Sequence, residues 1–295
     1  HTYVDMDIEY CTDRSVEFNM KPYLLEAMEE FYEEITGTST TPAASYLFQV
    51  DETDTLLIVK HAKIFHKIVA KLLFVCCRAR PDIQVAVSFL TSRVSKPNEG
   101  DSKKLKRLLQ YINGTLDLVL KLSALSTSVI KWWIDAAYGV HDNMRSHTGK
   151  TMSMGKGSIY SRSSKQKLNT KSSTEAELVG TSDGSGQILW TTYFMNAQGY
   201  NIKETELHQD NASTELLLKN GRMSSSQRTR HINIRYFFLK DRIDNNELNI
   251  VHCPTDQMIA DFFSKPTQGA KFIEFRDIIM GAKLNPYLTQ ERVST

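Results

Sequence analysis

The chain has 295 residues, of which 41% are apolar and 24% are charged, a composition typical of a globular protein with room for two domains. Its net charge of +2 hides an uneven distribution: residues 1–58 carry 13 acidic and 2 basic side chains, and the remaining 237 residues carry 34 basic and 21 acidic ones. The basic part favours contact with a polyanion such as nucleic acid, although many basic faces are only solvated.

The cysteines and the apolar stretches exclude several classes of protein. The four cysteines, Cys11, Cys76, Cys77 and Cys253, show no Cys-x-x-Cys spacing, so neither a disulfide framework nor a zinc site is indicated. The longest apolar stretch, Ile68 to Cys77, is interrupted by a lysine and is too short to span a bilayer. We expect an intracellular protein without membrane contact, in a compartment that the sequence does not specify.

The first 125 residues are predicted to form a smaller, mostly helical segment. Two short strands are expected over Tyr3 to Ile8 and Ser15 to Met20, followed by an acidic helix over Pro22 to Ile35. A linker rich in Thr and Ser begins at Gly37 and runs to about Leu56. Helical spacing then predicts three helices: Ala62 to Cys77, Asp82 to Val94 and Ser102 to Ile112.

From Leu116 the periodicity changes to that of strands. Strands are predicted over Leu116 to Leu122, Ser128 to Asp135, Thr148 to Met154 and Ser158 to Arg162. They are followed by a helix from about Ser173, a strand Glu204 to Gln209, helices near Ala212 to Lys219 and Arg230 to Ile243, a strand Leu248 to Val251 and a helix Thr255 to Ser264. This order predicts an α/β domain with a mixed sheet flanked by helices over residues 126–281, followed by a tail over residues 282–295.

One segment departs from good helical composition. Ser182 to Gly186 places two glycines inside the helix that starts near Ser173, at a cost of about 1 kcal/mol each relative to alanine. We expect this helix to kink or to end early.

Four acids lie where strands end or helices begin. Asp135 closes an apolar run, and Asp210 ends the strand Glu204 to Gln209. Glu177 follows Ser172 to Glu175, whose spacing is that of a capping box, and Asp261 lies in the last predicted helix. Each acid by itself is explained better as an exposed helix acid or a strand-end turn residue. Together they would supply four hard oxygen donors, the ligands that Mg²⁺ prefers.

Three sequence blocks resemble the RNase H domain of copia-type retrotransposon Pol polyproteins. They are Ser172 to Glu177 (SSTEAE), Ser225 to Tyr236 (SSQRTRHINIRY), and Cys253 to Asp261 (CPTDQMIAD) followed by Ser264 to Pro266 (SKP). They occur in the order and spacing typical of that family.

The resemblance implies an RNase H-like fold with a mixed five-stranded sheet. It also implies an Asp-Glu-Asp-Asp tetrad of metal ligands and catalytic residues, Asp135, Glu177, Asp210 and Asp261, in which Asp135 touches both of two Mg²⁺ ions and Mn²⁺ is a substitute. Glu175 competes with Glu177 for the second place. The implied reaction is hydrolysis of the RNA strand of an RNA/DNA hybrid, which leaves a 3′-hydroxyl and a 5′-phosphate.

The resemblance continues upstream of the tetrad. His61 to Leu122 is similar to the segment after the copia polymerase palm, including Arg80 to Ile83 and Leu109 to Thr115. Residues 1–125 would then be a thumb and connection remnant of reverse transcriptase, and the rest of that polyprotein would be a partner. Tyr3 to Met6 superficially matches the Tyr-x-Asp-Asp metal site of reverse transcriptases but lacks its second Asp, so we expect no polymerase site in this chain.

Polar and basic residues near the acids are candidates for nucleic-acid contacts. Between Lys219 and Arg242 there are seven Lys or Arg residues and one acid, Asp241. Phosphate contacts and minor-groove or 2′-hydroxyl contacts are predicted for Ser163, Ser164, Gln166, Asn211, Arg228, Arg230, His231 and Arg235. The alternative for the basic segment is a solvated helix face.

Two other functions remain open from the sequence. A catalytically silent, nucleic-acid-binding relic of a retrotransposon would look much the same, and so would an interaction protein that uses only the fold. The oligomeric state is not indicated.

Overall fold

The computed structural model of the protein describes residues 1–215 and 230–288, without the side chains of residues 230–233 and 287. None of the helices in this part of the chain combines the length and the apolar character that a membrane span requires.

The chain begins with short antiparallel strands and a helix. These are β1 Thr2–Tyr3, β2 Met6–Tyr10, β3 Val16–Asn19 and α1 Lys21–Glu29. The single strand predicted over Tyr3 to Ile8 is instead a hairpin, since Val4 and Asp5 adopt positive φ between β1 and β2. Helix α1 also ends before the predicted Ile35.

The three helices predicted for the middle section are confirmed. They are α2 Val59–Cys76, α3 Gln84–Thr91 and α4 Glu99–Asn113. Helix α4 begins upstream of the predicted Ser102 because Asn98 and Asp101 form a reciprocal capping box at its first turn.

The segment predicted as a linker between α1 and α2 contains no helix or strand, but part of it is packed. Leu47 and Phe48 are buried, and Phe48 contacts the rings of His141 and His147 at centroid distances of 4.8 and 5.0 Å. This segment therefore belongs to the core, a property that its Thr- and Ser-rich start did not indicate.

The remaining strands form two sheets. They are β4 Leu120–Ala124, β5 Val129–Ala137, β6 His147–Ser153, β7 Gly155–Lys156, β8 Tyr160–Lys165, β9 Glu204–Gln209 and β10 Asn249–His252. The main sheet has the order β10-β9-β5-β6-β8, in which β6 is antiparallel to β5 and β8, and β9 is parallel to β5 and β10. The predicted mixed five-stranded sheet flanked by helices is confirmed, and the fold class is α/β.

The second sheet connects the two halves of the chain. Its order is β1-β2-β3-β4-β7, so the strands of the mostly helical N-terminal segment pair through β4 with β7, which follows β6.

The long helix after β8 is α5 Ser173–Ala197, and it starts where predicted, with Ser172 accepting a hydrogen bond from the Glu175 N–H at 3.2 Å. The expectation that its glycines would end it early is wrong, because the helix is continuous across Gly184 and Gly186. The kink stays a prediction. Gly184 is buried against Ile134 of β5, so at this position the absence of a side chain lets the helix approach the sheet.

The C-terminal helices are α6 Arg230–Asp244, α7 Asp261–Ser264 and α8 Gly269–Ile279. The helix predicted near Ala212 starts there, and its part beyond residue 215 lies outside the described residues. The helix predicted over Thr255 to Ser264 is wrong. Its first part, Thr255–Gln257, forms a 3-10 turn, and its last part, Asp261–Ser264, forms α7. Met258, with ψ 85°, separates the two. The break allows the buried Met258 and Ala260 to pack on the sheet.

The main sheet is buried on both faces. Neighbouring residues of a strand point to opposite sides, so Trp132 and Trp133 belong to two different clusters of buried apolar side chains, one on each face of the sheet. Trp133 packs with the N-terminal helices, α7 and α8, and Trp132 packs with α5 and α6. The N-terminal segment is therefore a structural layer of the fold.

Candidate active site

The predicted acids lie at one edge of the main sheet. Asp135 is in β5, two residues before the strand ends at Ala137, and Asp210 follows the last residue of β9. Glu177 is in the second turn of α5, and Asp261 is the first residue of α7. Because β5 and β9 are parallel neighbours, their carboxyl ends meet at the same edge.

Three of the four acids form one compact group. Asp135, Glu177 and Asp210 each offer a carboxylate oxygen, and these atoms lie within 4.8 Å of one another. Asp135 and Glu177 are buried, with 2% and 4% of their surfaces exposed, and Asp210 is half-buried. The group thus has two buried members and one that borders solvent.

Glu177 is held by two hydrogen bonds. The Ala136 N–H donates to its Oε1 at 3.0 Å, and the Gln209 side-chain amide donates to its Oε2 at 2.9 Å. The competing Glu175 is used elsewhere, since its Oε2 accepts from the Lys171 N–H at 2.8 Å in front of α5. The geometry therefore favours Glu177 over Glu175 as the member of the acidic group.

Asp261 is linked to the group by a lysine. The Lys265 Nζ lies 2.6 Å from Asp261 Oδ1 and 3.2 Å from Asp135 Oδ2, and Asp135 also accepts a hydrogen bond from the Ser264 hydroxyl. The other oxygen of Asp261, Oδ2, is 3.2 Å from Lys271 Nζ. Both oxygens of Asp261 therefore have ammonium partners.

The acidic group carries excess negative charge. Burial raises the pKa of Asp135 to about 6, and the nearby Asp261 and Asp210 add to the rise against the opposing effects of Lys265 and Ser264. Burial, and then the charge of Asp135, hold the pKa of Glu177 well above its ordinary value. Burial also raises the pKa of Asp210. Three converging carboxylates whose charge is incompletely neutralised have the donor chemistry that a hard divalent cation requires.

The polar candidates on β8 and beyond occupy different environments. Ser163 is buried and hydrogen-bonded to His147 Nε2 at 2.7 Å. Gln166 is buried, and its amide donates to the Thr148 hydroxyl and the Ala176 carbonyl, both at 2.9 Å. Ser164 is half-buried. Ser163 and Gln166 thus make internal contacts that fix β8 next to β6 and α5.

Of the remaining candidates that the structure describes, Asn211 lies close to the edge that carries the acids, and the others are on α6. Asn211 is half-buried and accepts a hydrogen bond from the Thr214 N–H at 2.9 Å. Arg235 is partly exposed and forms an ion pair with Asp183 of α5. Arg230 and His231 begin α6, with side chains outside the described part of the chain, and Arg228 lies outside the described residues altogether.

Several residues that the sequence-based prediction did not assign also shape the site. Ser264, Lys265 and Lys271 contact the acids, and Gln209 orients Glu177. The spacing of Asp261 and Lys265, four residues apart, was a usable signal, because such a pair meets on one helix face. The contacts to Asp135 had no local signal, since more than a hundred residues separate the partners.

The fold and this edge of acids define an α/β protein with a group of carboxylates at the carboxyl ends of two parallel strands. No family model matches the chain. It is 26% identical over 277 residues to the retrovirus-related Pol polyprotein from transposon TNT 1-94 of Nicotiana tabacum, a match covering 91% of this chain and 20% of that polyprotein. It is 30% identical over 209 residues to the Pol polyprotein from transposon RE1 of Arabidopsis thaliana, covering 70% of this chain and 14% of the relative.

Among solved structures, the N-terminal RNase H domain of a Mycobacterium tuberculosis protein superposes with a TM-score of 0.34 at 11% identity, covering 46% of this chain and 91% of that chain. The relatives of this chain include retrovirus-related Pol polyproteins of plant copia-type transposons, which confirms the resemblance found in the sequence. The chain spans a fifth or less of the length of these curated relatives.

Proposed function

We propose that this chain is the RNase H part of a retrotransposon Pol polyprotein and that it cuts the RNA strand of an RNA/DNA hybrid by two-metal hydrolysis. The observation that carries the proposal is the group formed by Asp135, Glu177 and Asp210, whose oxygens lie within 4.8 Å of one another. The RNase H-like fold and the Pol polyprotein homologues support the same function.

Each acid has a distinct role in the proposed reaction. Asp135, the most buried, is the central ligand, and Glu177 is oriented by the Ala136 N–H and Gln209. Asp210 is half-buried and is therefore the member of the group that borders solvent, and Asp261 is the fourth ligand. Mg²⁺, or Mn²⁺ in its place, supplies a polarised water and neutralises phosphate charge when bound.

The proposed hydrolysis breaks one phosphodiester bond. The water oxygen bonds to phosphorus, the P–O3′ bond breaks, and the departing 3′-oxygen takes up a proton, which leaves a 3′-hydroxyl and a 5′-phosphate. The carboxylates form no covalent bond to the substrate in this reaction, so their contribution is positional and electrostatic.

We extend the proposal to the organisation of the chain and its contacts. Residues 1–125 are a thumb- and connection-like segment of reverse transcriptase without a polymerase site, residues 126–281 are the RNase H-like domain, and residues 282–295 are a tail. The match over 277 residues to a Pol polyprotein supports the assignment of both larger parts to one polyprotein. The hybrid would contact the surface near Ser164, Asn211 and Arg235, together with Ser163, Gln166, Arg228, Arg230 and His231.

Cleavage of a labelled RNA/DNA hybrid in Mg²⁺ tests the proposal directly. We expect cutting of the RNA strand only, with single-stranded RNA and duplex DNA left intact. Asp135→Asn should abolish cutting, because it removes one charge from the centre of the group with almost no change in shape. Asp142→Asn is the matched control, since Asp142 is exposed in the turn after β5 and should leave cutting unchanged.

Two results would contradict the proposal. Cutting that persists in Asp135→Asn would exclude the acidic group as the site. Hybrid binding without cutting by the wild-type chain would favour the catalytically silent relic. The glycines in α5 give that alternative no support, because the helix that carries Glu177 is continuous.

A further inference from the structure

Lys265 is placed where a cation is needed between two acids. Its Nζ lies 2.6 Å from Asp261 Oδ1 and 3.2 Å from Asp135 Oδ2. Burial opposes the charged form of Lys265, but Asp135 and Asp261 outweigh this effect and hold its pKa above the ordinary value. The ammonium therefore neutralises charge that a bound metal ion would otherwise neutralise.

The backbone conformation of Lys265 is fixed by its neighbours, whereas its side chain can rotate away from the two acids. Lys265 caps α7 with φ −134° and ψ 145°, the extended conformation that a following proline favours, and Pro266 follows it. Its side chain remains 43% exposed. A rotamer change can consequently move the ammonium out towards solvent without moving α7 or Asp261.

The four acids therefore divide into two sets. Asp135, Glu177 and Asp210 form a metal-sized group by themselves, whereas both oxygens of Asp261 contact lysines. A cation bound between Asp135 and Asp261 would meet the Lys265 ammonium at close range, and like charges in contact repel each other strongly.

We propose that Lys265 is a built-in competitor for the second metal ion. The first divalent ion binds to Asp135, Glu177 and Asp210 with Lys265 in place. The second binds only when Lys265 withdraws from Asp135 and Asp261. Lys265 thus makes the affinity for the second ion much lower than that for the first. It is a positioning residue for the proposed reaction, and this inference rests on the proposed function.

Calorimetric titration with Mn²⁺, without substrate, measures the effect independently of cleavage. The wild-type chain should bind one ion tightly and a second one weakly. Lys265→Met, which keeps the side-chain length and removes the charge, should tighten the second ion by at least about tenfold and change the first ion much less.

Lys271→Met is the matched control. It removes the same charge from the same neighbourhood, but Lys271 contacts only Asp261 among the four acids. We expect a smaller effect, because Asp135 keeps its partner. Melting curves without metal establish that both variants are folded.

The outcomes separate this inference from the proposed function. Equal effects of the two variants would show a general charge effect and overturn the role of Lys265, as would weaker binding of the second ion in Lys265→Met. If the wild-type chain cuts the hybrid and Lys265→Met binds Mn²⁺ like wild type, only the role of Lys265 fails. If neither form binds Mn²⁺ and the wild-type chain does not cut the hybrid, the proposed function fails with it.

Discussion

Gly149 is the position at which a single methyl group should disturb both the fold and the candidate site. It lies in β6 opposite Asp135 of β5, and α7 crosses directly over it. A Cβ atom at this position would lie 2.5 Å from the Ala260 carbonyl oxygen and 2.5 Å from the Ser264 nitrogen. Both are backbone atoms, so relief requires that α7 move away from the sheet.

The size of the effect follows from this contact. Overpacking a core typically costs about 1–3 kcal/mol, and Gly149→Ala should fall at the upper end because no flexible side chain can give way. For a chain of this size a loss at the upper end corresponds to a decrease of roughly 5 °C in Tm. Because α7 carries Asp261 and leads directly into Lys265, Mn²⁺ binding should weaken as well.

The glycines of α5 provide matched substitutions. Gly186 is exposed, and a methyl group added there would meet no atom of the described residues within 4 Å, so Gly186→Ala should raise stability by up to about 1 kcal/mol. At Gly184 the closest atom to a Cβ would be the end of the flexible Ile134 side chain, at 2.5 Å, so Gly184→Ala should fall between the other two variants.

Thermal unfolding and Mn²⁺ titration of the three variants form the assay. The expected order of Tm is Gly186→Ala, Gly184→Ala and Gly149→Ala, from highest to lowest. A Gly149→Ala protein with the Tm and the Mn²⁺ affinity of wild type would refute the close packing of α7 against Gly149 of β6.

Three further predictions concern the core and the charge of the site. Asp82→Asn should cost about 3–5 kcal/mol in chemical denaturation, because it leaves Arg80 buried without its ion-pair partner. Burial lowers the pKa of His141 to about 4 and of His147 to about 3 from 6.5, so the folded state keeps both rings neutral. The unfolded state binds more protons below pH 6.5, so these rings should cost about 2 kcal/mol each at pH 5; ring NMR signals that titrate near pH 6.5 would contradict this. Asp135→Asn should raise the Tm of the metal-free protein at pH 7.5, because burial disfavours the ionised form of this acid. In a thermal-shift assay, added Mg²⁺ should raise the Tm of the wild-type protein more than that of the variant.

The predictions that depended on local pattern agree well with the structure. The strand predicted over Glu204–Gln209 has its observed bounds, and the capping residues placed the start of α5 at Ser173. Both follow from preferences that neighbouring residues fix among themselves. The order of strands and helices likewise indicated the mixed sheet, which brings Asp135 and Asp210 to one edge.

Tertiary structure decided the features that local pattern contradicts or leaves open. The helical spacing of Thr255 to Ser264 is real, yet the burial of Met258 against the core breaks the helix. Leu47 and Phe48 lie in a segment with the composition of a linker, yet they are buried by helices and strands far along the chain.

The same distinction holds for the candidate site. The sequence by itself determined which acids end or begin the elements, because strand and helix ends carry local signals. Only the folded chain decided that Ser264 and Lys265 contact Asp135, since these contacts join residues about 130 positions apart. Such contacts depend on how closely α7 packs on β6, which Gly149 permits and which no periodicity encodes.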